Sequence, residues 1–297
     1  IYLMAINAMV IVIIGITQRI FYNDQISSKL LFLITPEINK TVDGQFGPFA
    51  YRSNAGTLFN IIWPICLGLI FEHKYQYKKI GKGEIFFIYV SLFFCFLVPY
   101  ITLARGAVFV NMVLILTIVM YISQSRVRRR AKYTLFSISI ILLVIVVVFF
   151  WENNYNRISL MIVDRFSARI DLFKHTIEIA KDYYPFGSGP GSFEAIYFFE
   201  LTDENNIWQS WAHNDFLEIF ATYGVFGIVF ITLLFALYIL RIINLILRVK
   251  DHLLFFLFSS LIGLLIHSFG DFPLQVYSIL IYMVLILGIS FNYNKGY

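Results

Sequence analysis

The chain has 297 residues, 59% of them hydrophobic and 14% charged, where a soluble domain carries roughly a quarter charged residues; a soluble globular protein is excluded and a polytopic membrane protein is indicated. The formal charge of +5 does not point to nucleic acid, because the basic residues sit in short links beside apolar runs, where the positive-inside rule puts them. Cys66 and Cys95 lie inside such runs and read as small hydrophobes.

Eight apolar segments appear, each near the ~20 residues a helix needs to cross ~30 Å of hydrocarbon. They run from Ile1 to Ile20, Ala55 to Phe71, Ile85 to Thr102, Ala107 to Ile122, Tyr133 to Trp151, Phe216 to Leu240, Leu253 to Phe269 and Leu274 to Phe291. Continuous apolarity without period-two alternation makes them helices, so the expected fold class is all-α, a polytopic transmembrane helical bundle. The expected organisation is spans one to five over 1–151, a long polar loop over 152–214, and spans six to eight over 215–297. The first span opens at Ile1 with no basic stretch or cleavage site of the signal-peptide kind, and further spans are expected upstream.

Orientation follows from the links. Lys74, Lys78, Lys79 and Lys82 follow the second span, Arg126, Arg128, Arg129, Arg130 and Lys132 the fourth, and Arg241, Arg248 and Lys250 the sixth. Every second link is basic, so all three are cytoplasmic in one orientation. Of the 18 acidic residues, all but Glu72, Glu84 and Asp251 then fall on or next to the outer side. Polar chemistry is therefore expected outside, in the loop from Glu152 to Asn214.

Within that loop, Ser159 to Tyr184 reads as an amphipathic helix with an apolar stripe of Val163, Phe166, Ile170, Phe173, Ile177 and Ala180. Arg165 and Arg169, four apart, border the stripe, and neither has a carboxylate three or four residues away. A phosphate or diphosphate at the membrane interface would neutralise them through the guanidinium fork; solvent, lipid phosphate or other loop carboxylates are the alternative partners. Arg105, in LARGA between two spans, and Arg52, in GPFAYRSNAG, are further candidates. PFGSGPGSF (Pro185 to Phe193) has turn chemistry but lacks the Lys-Ser/Thr ending of a nucleotide loop, and reads as a connector.

Asp215 and Glu218, three apart, resemble a capping box, which places His213 just ahead of a helix N-terminus at headgroup depth. A neutral imidazole there suits general-base chemistry on a sugar hydroxyl; a local hydrogen-bonding role is the plainer reading. His267 and Asp271, in HSFGDFPL, are four apart where Gly270 and Pro273 end a helix, spaced to bond across the break and contact the loop above. No His, Cys, Asp and Glu set has dependable metal-site spacing, so neither a metal nor any other cofactor is expected.

These segments in their order, GPFAYRSNAG, LARGA, RFSARIDLF, PFGSGPGSFE, WAHNDFLEIFATYGVFG and HSFGDFPL, resemble the O-antigen ligase and polysaccharide polymerase family from Gly44 to Ser278. The resemblance implies an inverting, metal-independent glycosyltransferase in the bacterial cytoplasmic (inner) membrane, with its site on the outer face. Its implied donor is a glycan on undecaprenyl diphosphate, and its acceptor a lipid A core, another undecaprenyl-linked glycan or a protein hydroxyl. It maps His213 as general base and Arg105, Arg169, Arg165 and Arg52 as diphosphate ligands; beside them Asn214, Asp271 and His267 are expected as supporting residues. The family's first motif usually shows Asn where this chain has Ser53 followed by Asn54.

A lipid-linked oligosaccharide flippase would bind the same diphosphate, but it needs charge and broken helices near mid-membrane, and these spans carry almost no charge away from their ends. A non-catalytic scaffold of the cell envelope would tolerate changes at His213 and Arg169. Tyr197, Phe198, Phe199 and Trp208, between Glu194 and Ser210, are candidates to stack on acceptor sugars, with packing on the membrane surface as the alternative.

Overall fold

The structure is a computed structural model that describes residues 1–21, 44–75, 81–124, 169–200, 210–249 and 251–292. The expected fifth span, Arg165, Trp208 and most of the basic links lie outside the described residues. The described residues are helical in the order α1 (Tyr2–Ile20), α2 (Arg52–Tyr75), α3 (Lys82–Ile101), α4 (Arg105–Gln124), α5 (169–182), α6 (Phe193–Glu200), α7 (Asp215–Val249), α8 (His252–His267) and α9 (Tyr277–Phe291), with a 3₁₀ turn at Pro273–Gln275. They fall into two compact units. One holds α1 to α4, α8 and α9; the other holds α5, α6, α7 up to Ile243, and the segment 268–275.

Among the described residues, α1, α2, α3, α4 and α7 are long and apolar enough to cross a membrane, and the chain is a multi-pass membrane protein. The expected seventh and eighth segments form shorter helices of 16 and 15 residues. Their shortening has a local cause, because the chain leaves helix after His267 and re-enters it at Tyr277, with the turn residues of HSFGDFPL between.

In the first unit α2 is the central helix. It packs most extensively on α3 and α8 and also meets α1, α4 and α9, so its apolar side chains from Leu58 through Leu69 are buried almost all round. Helices in lipid gain little from hiding apolar surface, and association rests on close packing and interhelical hydrogen bonds. Both occur here. Gly56 lies so close to Ala107 that a Cβ on it would overlap the alanine methyl, and Gly68 and Gly263 lie against Phe256 and Leu114. Asn60 donates to the Ala107 carbonyl at 2.7 Å, Ser260 to the Ile61 carbonyl at 2.8 Å, and Asn7 to the Tyr282 hydroxyl at 2.7 Å.

In the second unit α5 and α6 pack with the start of α7 around Leu172, Ile179, Ala180, Phe193, Tyr197, Ala212 and Ala221. The buried face of α5 is Leu172, Thr176, Ile179 and Ala180, spaced four, three and one. This corrects the expected stripe, since Ile170 and Ile177 are 40% and 38% exposed. The helix is apolar on two adjoining faces, and a search for spacings of three and four locks on to either.

α7 differs most from its expected form. It has 35 residues, about 52 Å at 1.5 Å per residue, and it breaks at Gly224, where φ is 68° and ψ is −165°. In a straight helix the Val225 N–H would reach the Ala221 carbonyl. Instead Val225 donates to the Pro185 carbonyl at 2.9 Å, while the Ala221 and Thr222 carbonyls accept from the Ser188 and Gly189 N–H groups at 2.9 and 2.8 Å. PFGSGPGSF is therefore a connector whose backbone replaces the hydrogen bonds lost at the break. A Cβ on Gly224 would overlap the Pro185 carbonyl oxygen, and one on Gly187 would overlap the Thr222 and Gly224 backbone.

Gly224→Ala is expected to lower thermal stability in detergent strongly. A residue with a Cβ in that backbone region costs about 1–3 kcal/mol before the overlap is counted. An unchanged melting temperature would contradict the pairing of loop and break.

Candidate active site

The site is assembled in the second unit, on the start of α7 and the segment 268–275. α7 begins at Asp215, and the cap is Asn214, whose Oδ1 accepts from the Leu217 N–H at 3.1 Å. The capping box expected at Asp215 and Glu218 is thus corrected by one residue, and both acids are used otherwise. Glu218 is buried and accepts from the Ala212 N–H at 2.9 Å. Asp215 is fully buried and ties in the neighbouring segment, its N–H donating to the Ser268 carbonyl and its Oδ2 accepting from the Leu274 N–H, both at 2.9 Å.

Between those two bonds lies Gly270-Asp271-Phe272, and each of its residues serves a neighbour. The Asp271 carboxylate, 5% exposed, lies 3.1 Å from Nδ1 of His213 and also accepts from the Phe272 N–H. The Phe272 ring meets the His213 ring edge to face, with centroids 5.0 Å apart. The Gly270 carbonyl accepts from the Arg169 guanidinium at 2.9 Å. An exposed arginine on α5 and a half-buried histidine ahead of α7 are thereby fastened to adjacent residues of one short segment.

His213 itself has φ of 51°. Among residues with a side chain this left-handed conformation is uncommon and costs about 1–3 kcal/mol, and it persists only where the surroundings enforce it. Capping by Asn214 on one side and the Glu218 bond to Ala212 on the other supply that enforcement. The chemistry follows from the partner. An ionised carboxylate only accepts hydrogen bonds, so the tautomer of neutral His213 that this contact favours has the proton on Nδ1, toward Asp271, and the lone pair on Nε2. A histidine held this way is equipped to take a proton at Nε2.

Arg52, Arg105 and His267 belong to the first unit. Arg52 opens α2 and Arg105 opens α4, after a tight turn in which Leu103 has φ of 51°. Arginine at a helix N-terminus runs against the helix dipole, so an anion there would be favoured twice over. His267 ends α8, is 2% exposed, and lies 2.8 Å from the Thr57 hydroxyl through Nδ1 and 3.2 Å from the Ser53 hydroxyl through Nε2. A Cβ on Gly106 would stand 3.0 Å from its Nε2. GPFAYRSNAG, LARGA and the first residue of HSFGDFPL thus meet at one imidazole. The sequence-based expectation for His267 and Asp271 was a bond across the break and contact with the loop above; the structure places the Thr57 and Ser53 hydroxyls beside His267, and Asp271 beside His213 of that loop.

Of the aromatic candidates, Tyr197 is buried in the core of the second unit, where burial raises its phenol above the usual range with help from Asp171. Phe198 and Phe199 are exposed on α6. At the end of α6, burial together with Asp182 and Glu178 holds Glu200 above the ordinary carboxylate range, opposed by His175. Trp211 and Phe272 were not singled out from sequence, and Asp215 was singled out only as part of a cap. The signal for Asp215 was present in its three-residue spacing from Glu218, read as a cap instead of an inward-facing pair. Among the described residues no group of three or more His, Cys, Asp or Glu side chains gathers to hold a metal ion.

Residues 90–232 match the family model described as O-Antigen ligase. The matched stretch contains Arg105, Arg169, His213, the connector loop and the α7 break. Comparison with curated proteins finds no match. The chain is thus a multi-pass membrane protein that is similar, over residues 90–232, to the O-antigen ligase family of membrane glycosyltransferases.

Proposed function

We propose that the protein transfers a glycan from undecaprenyl diphosphate to an acceptor hydroxyl, with inversion at the anomeric carbon, at the outer face of the bacterial cytoplasmic membrane. The observation that supports this reading most is the His213–Asp271 contact of 3.1 Å, next to an arginine held on the Gly270 carbonyl. In the proposed step Nε2 of His213 takes the proton from the acceptor hydroxyl as its oxygen bonds to the anomeric carbon. The bond from that carbon to the diphosphate oxygen breaks, and its electron pair leaves on the diphosphate.

Arg169 meets the charge that grows there, which is electrostatic stabilisation of a leaving group. Arg105, Arg165 and Arg52 are proposed as further diphosphate ligands on the family resemblance. Asp271 orients the His213 ring and offsets the positive charge it gains on taking the proton. Asn214 holds the helix start behind it. His267 is proposed to support the arginine-bearing ends of α2 and α4. The acceptor is a lipid A core, another lipid-linked glycan or a protein hydroxyl, and the enzyme is proposed to work without a metal.

The test is turnover by purified protein in detergent, supplied with the lipid-linked donor, EDTA and each acceptor class. His213→Ala is expected to lower kcat about 10²–10⁴-fold, the usual worth of a general base, with normal membrane insertion. A mutant that keeps the wild-type rate would remove the base assignment. Asp271→Asn is expected to fall in the same direction, because an amide no longer fixes the proton on Nδ1; unchanged kcat would show that the ring needs no such partner.

Arg169→Ala is expected to cost about 10²–10³-fold in kcat, as loss of one preorganised donor to a developing anion does. Arg169→Lys should recover only part of that, since a point charge does not reproduce the planar fork. Equal activity of both variants with wild type would place the diphosphate elsewhere.

A further inference from the structure

The ring system beside His213 has a second occupant. Trp211 lies parallel to Phe272, with centroids 5.2 Å apart and planes inclined by 13°, and the other contact of Phe272 is the edge-to-face one with His213. One ring, 7% exposed, thus fixes an indole and an imidazole relative to each other. Phe272 and Ala212, between the indole and the imidazole in space and in sequence, are buried, while Trp211 stays partly exposed. The largest apolar side chain of the group, the indole, is thus only partly covered.

We propose that Trp211 is the platform on which the acceptor sugar stacks, a binding subsite of the glycosyl transfer proposed above and resting on that reading. A pyranose presents a face of C–H groups with its hydroxyls at the rim. It therefore covers an aromatic plate, gaining apolar contact and dispersion, while a rim hydroxyl points outward. One residue, Ala212, separates the indole from the base, and Phe272 sets their relative orientation. A ring laid on Trp211 brings a hydroxyl to His213 in restricted geometry, which is how positioning lowers a barrier. The donor is served differently, because its diphosphate is a ligand for arginine. Stacking recognises a class of ligand, cyclic sugars with an exposed C–H face, and leaves the choice among them to other contacts.

The test separates affinity for the acceptor from the chemical step. Trp211→Ala is expected to raise the acceptor KM about tenfold or more, with kcat at saturating acceptor falling less than threefold and the donor KM unmoved. Trp211→Phe, which keeps a smaller ring on Phe272, is expected to lie between the two. It carries the test if the alanine variant does not fold. A fall in kcat with the acceptor KM unchanged would overturn the proposal and leave Trp211 as a prop for Phe272 and His213.

Equilibrium binding of the acceptor glycan to His213→Ala protein gives a reading without turnover. Adding Trp211→Ala is expected to weaken that binding about tenfold, and equal binding would overturn the proposal. A wild type that binds acceptor through Trp211 yet transfers no glycan would overturn the transferase reading and leave the platform standing.

Discussion

The second unit depends on the buried Asp215. Its backbone N–H and its carboxylate hold the Ser268 carbonyl and the Leu274 N–H, so the intervening residues are clamped against the start of α7. A buried carboxylate is costly unless hydrogen bonds answer it, and here those bonds are made to the backbone of the segment it positions. The contacts that hold Arg169, His213 and Trp211 run through that segment. Gly270 takes Arg169, Asp271 takes Nδ1 of His213, and Phe272 packs both the imidazole and the indole of Trp211. Releasing the clamp would loosen the base, its orienting carboxylate and the arginine together.

The break in α7 serves the same unit. The residues ahead of Gly224 pack through Ala221 into the core with α5 and α6, and residues 225–249, about 37 Å long at helical rise, suffice for a membrane span. A helix running straight through Gly224 would leave PFGSGPGSF without its partners. The loop instead donates from Ser188 and Gly189 and accepts at Pro185, so the exposed backbone groups at the break are answered by protein. That exchange requires the two segments to approach without side chains at Gly187 and Gly224. The glycines are set by backbone contact, and the apolar pattern that identifies the span carries no trace of it.

Much of the fold was legible in the sequence. Apolar run length alone gives α3 as Ile85 to Thr102 against an observed Lys82–Ile101, and α4 as Ala107 to Ile122 against Arg105–Gln124. Lipid makes this possible, because every backbone polar group must be satisfied within a helix and long apolar runs have few alternatives. The faces of helices were less legible. α5 is apolar on two adjoining sides, and only contact with α6 and α7 decides that Leu172, Thr176 and Ile179 turn inward.

In the candidate site, the sequence reading named Arg169, His213, Asn214 and Asp271, which the fold gathers in one unit, and Arg52, Arg105 and His267, which it gathers in the other. What spacing does not reveal is partnership. A spacing of four from His267 to Asp271 suggests a pair if a helix continues, yet the chain leaves helix after His267, and Asp271 is delivered to a residue 58 positions away. The inward turn of Asp215 and the left-handed backbone of His213 likewise follow from tertiary clamping, which no local pattern encodes.

The central claim is that His213, oriented by Asp271 and accompanied by Arg169, is where the glycosyl bond is broken and made. The most direct measurement is an experimental structure of the protein with a non-transferable undecaprenyl diphosphate glycan bound. The account predicts the diphosphate against the Arg169 guanidinium and the anomeric carbon on the Nε2 side of His213, with Nδ1 still on Asp271. A diphosphate bound with Arg169 and His213 both out of its reach would contradict it.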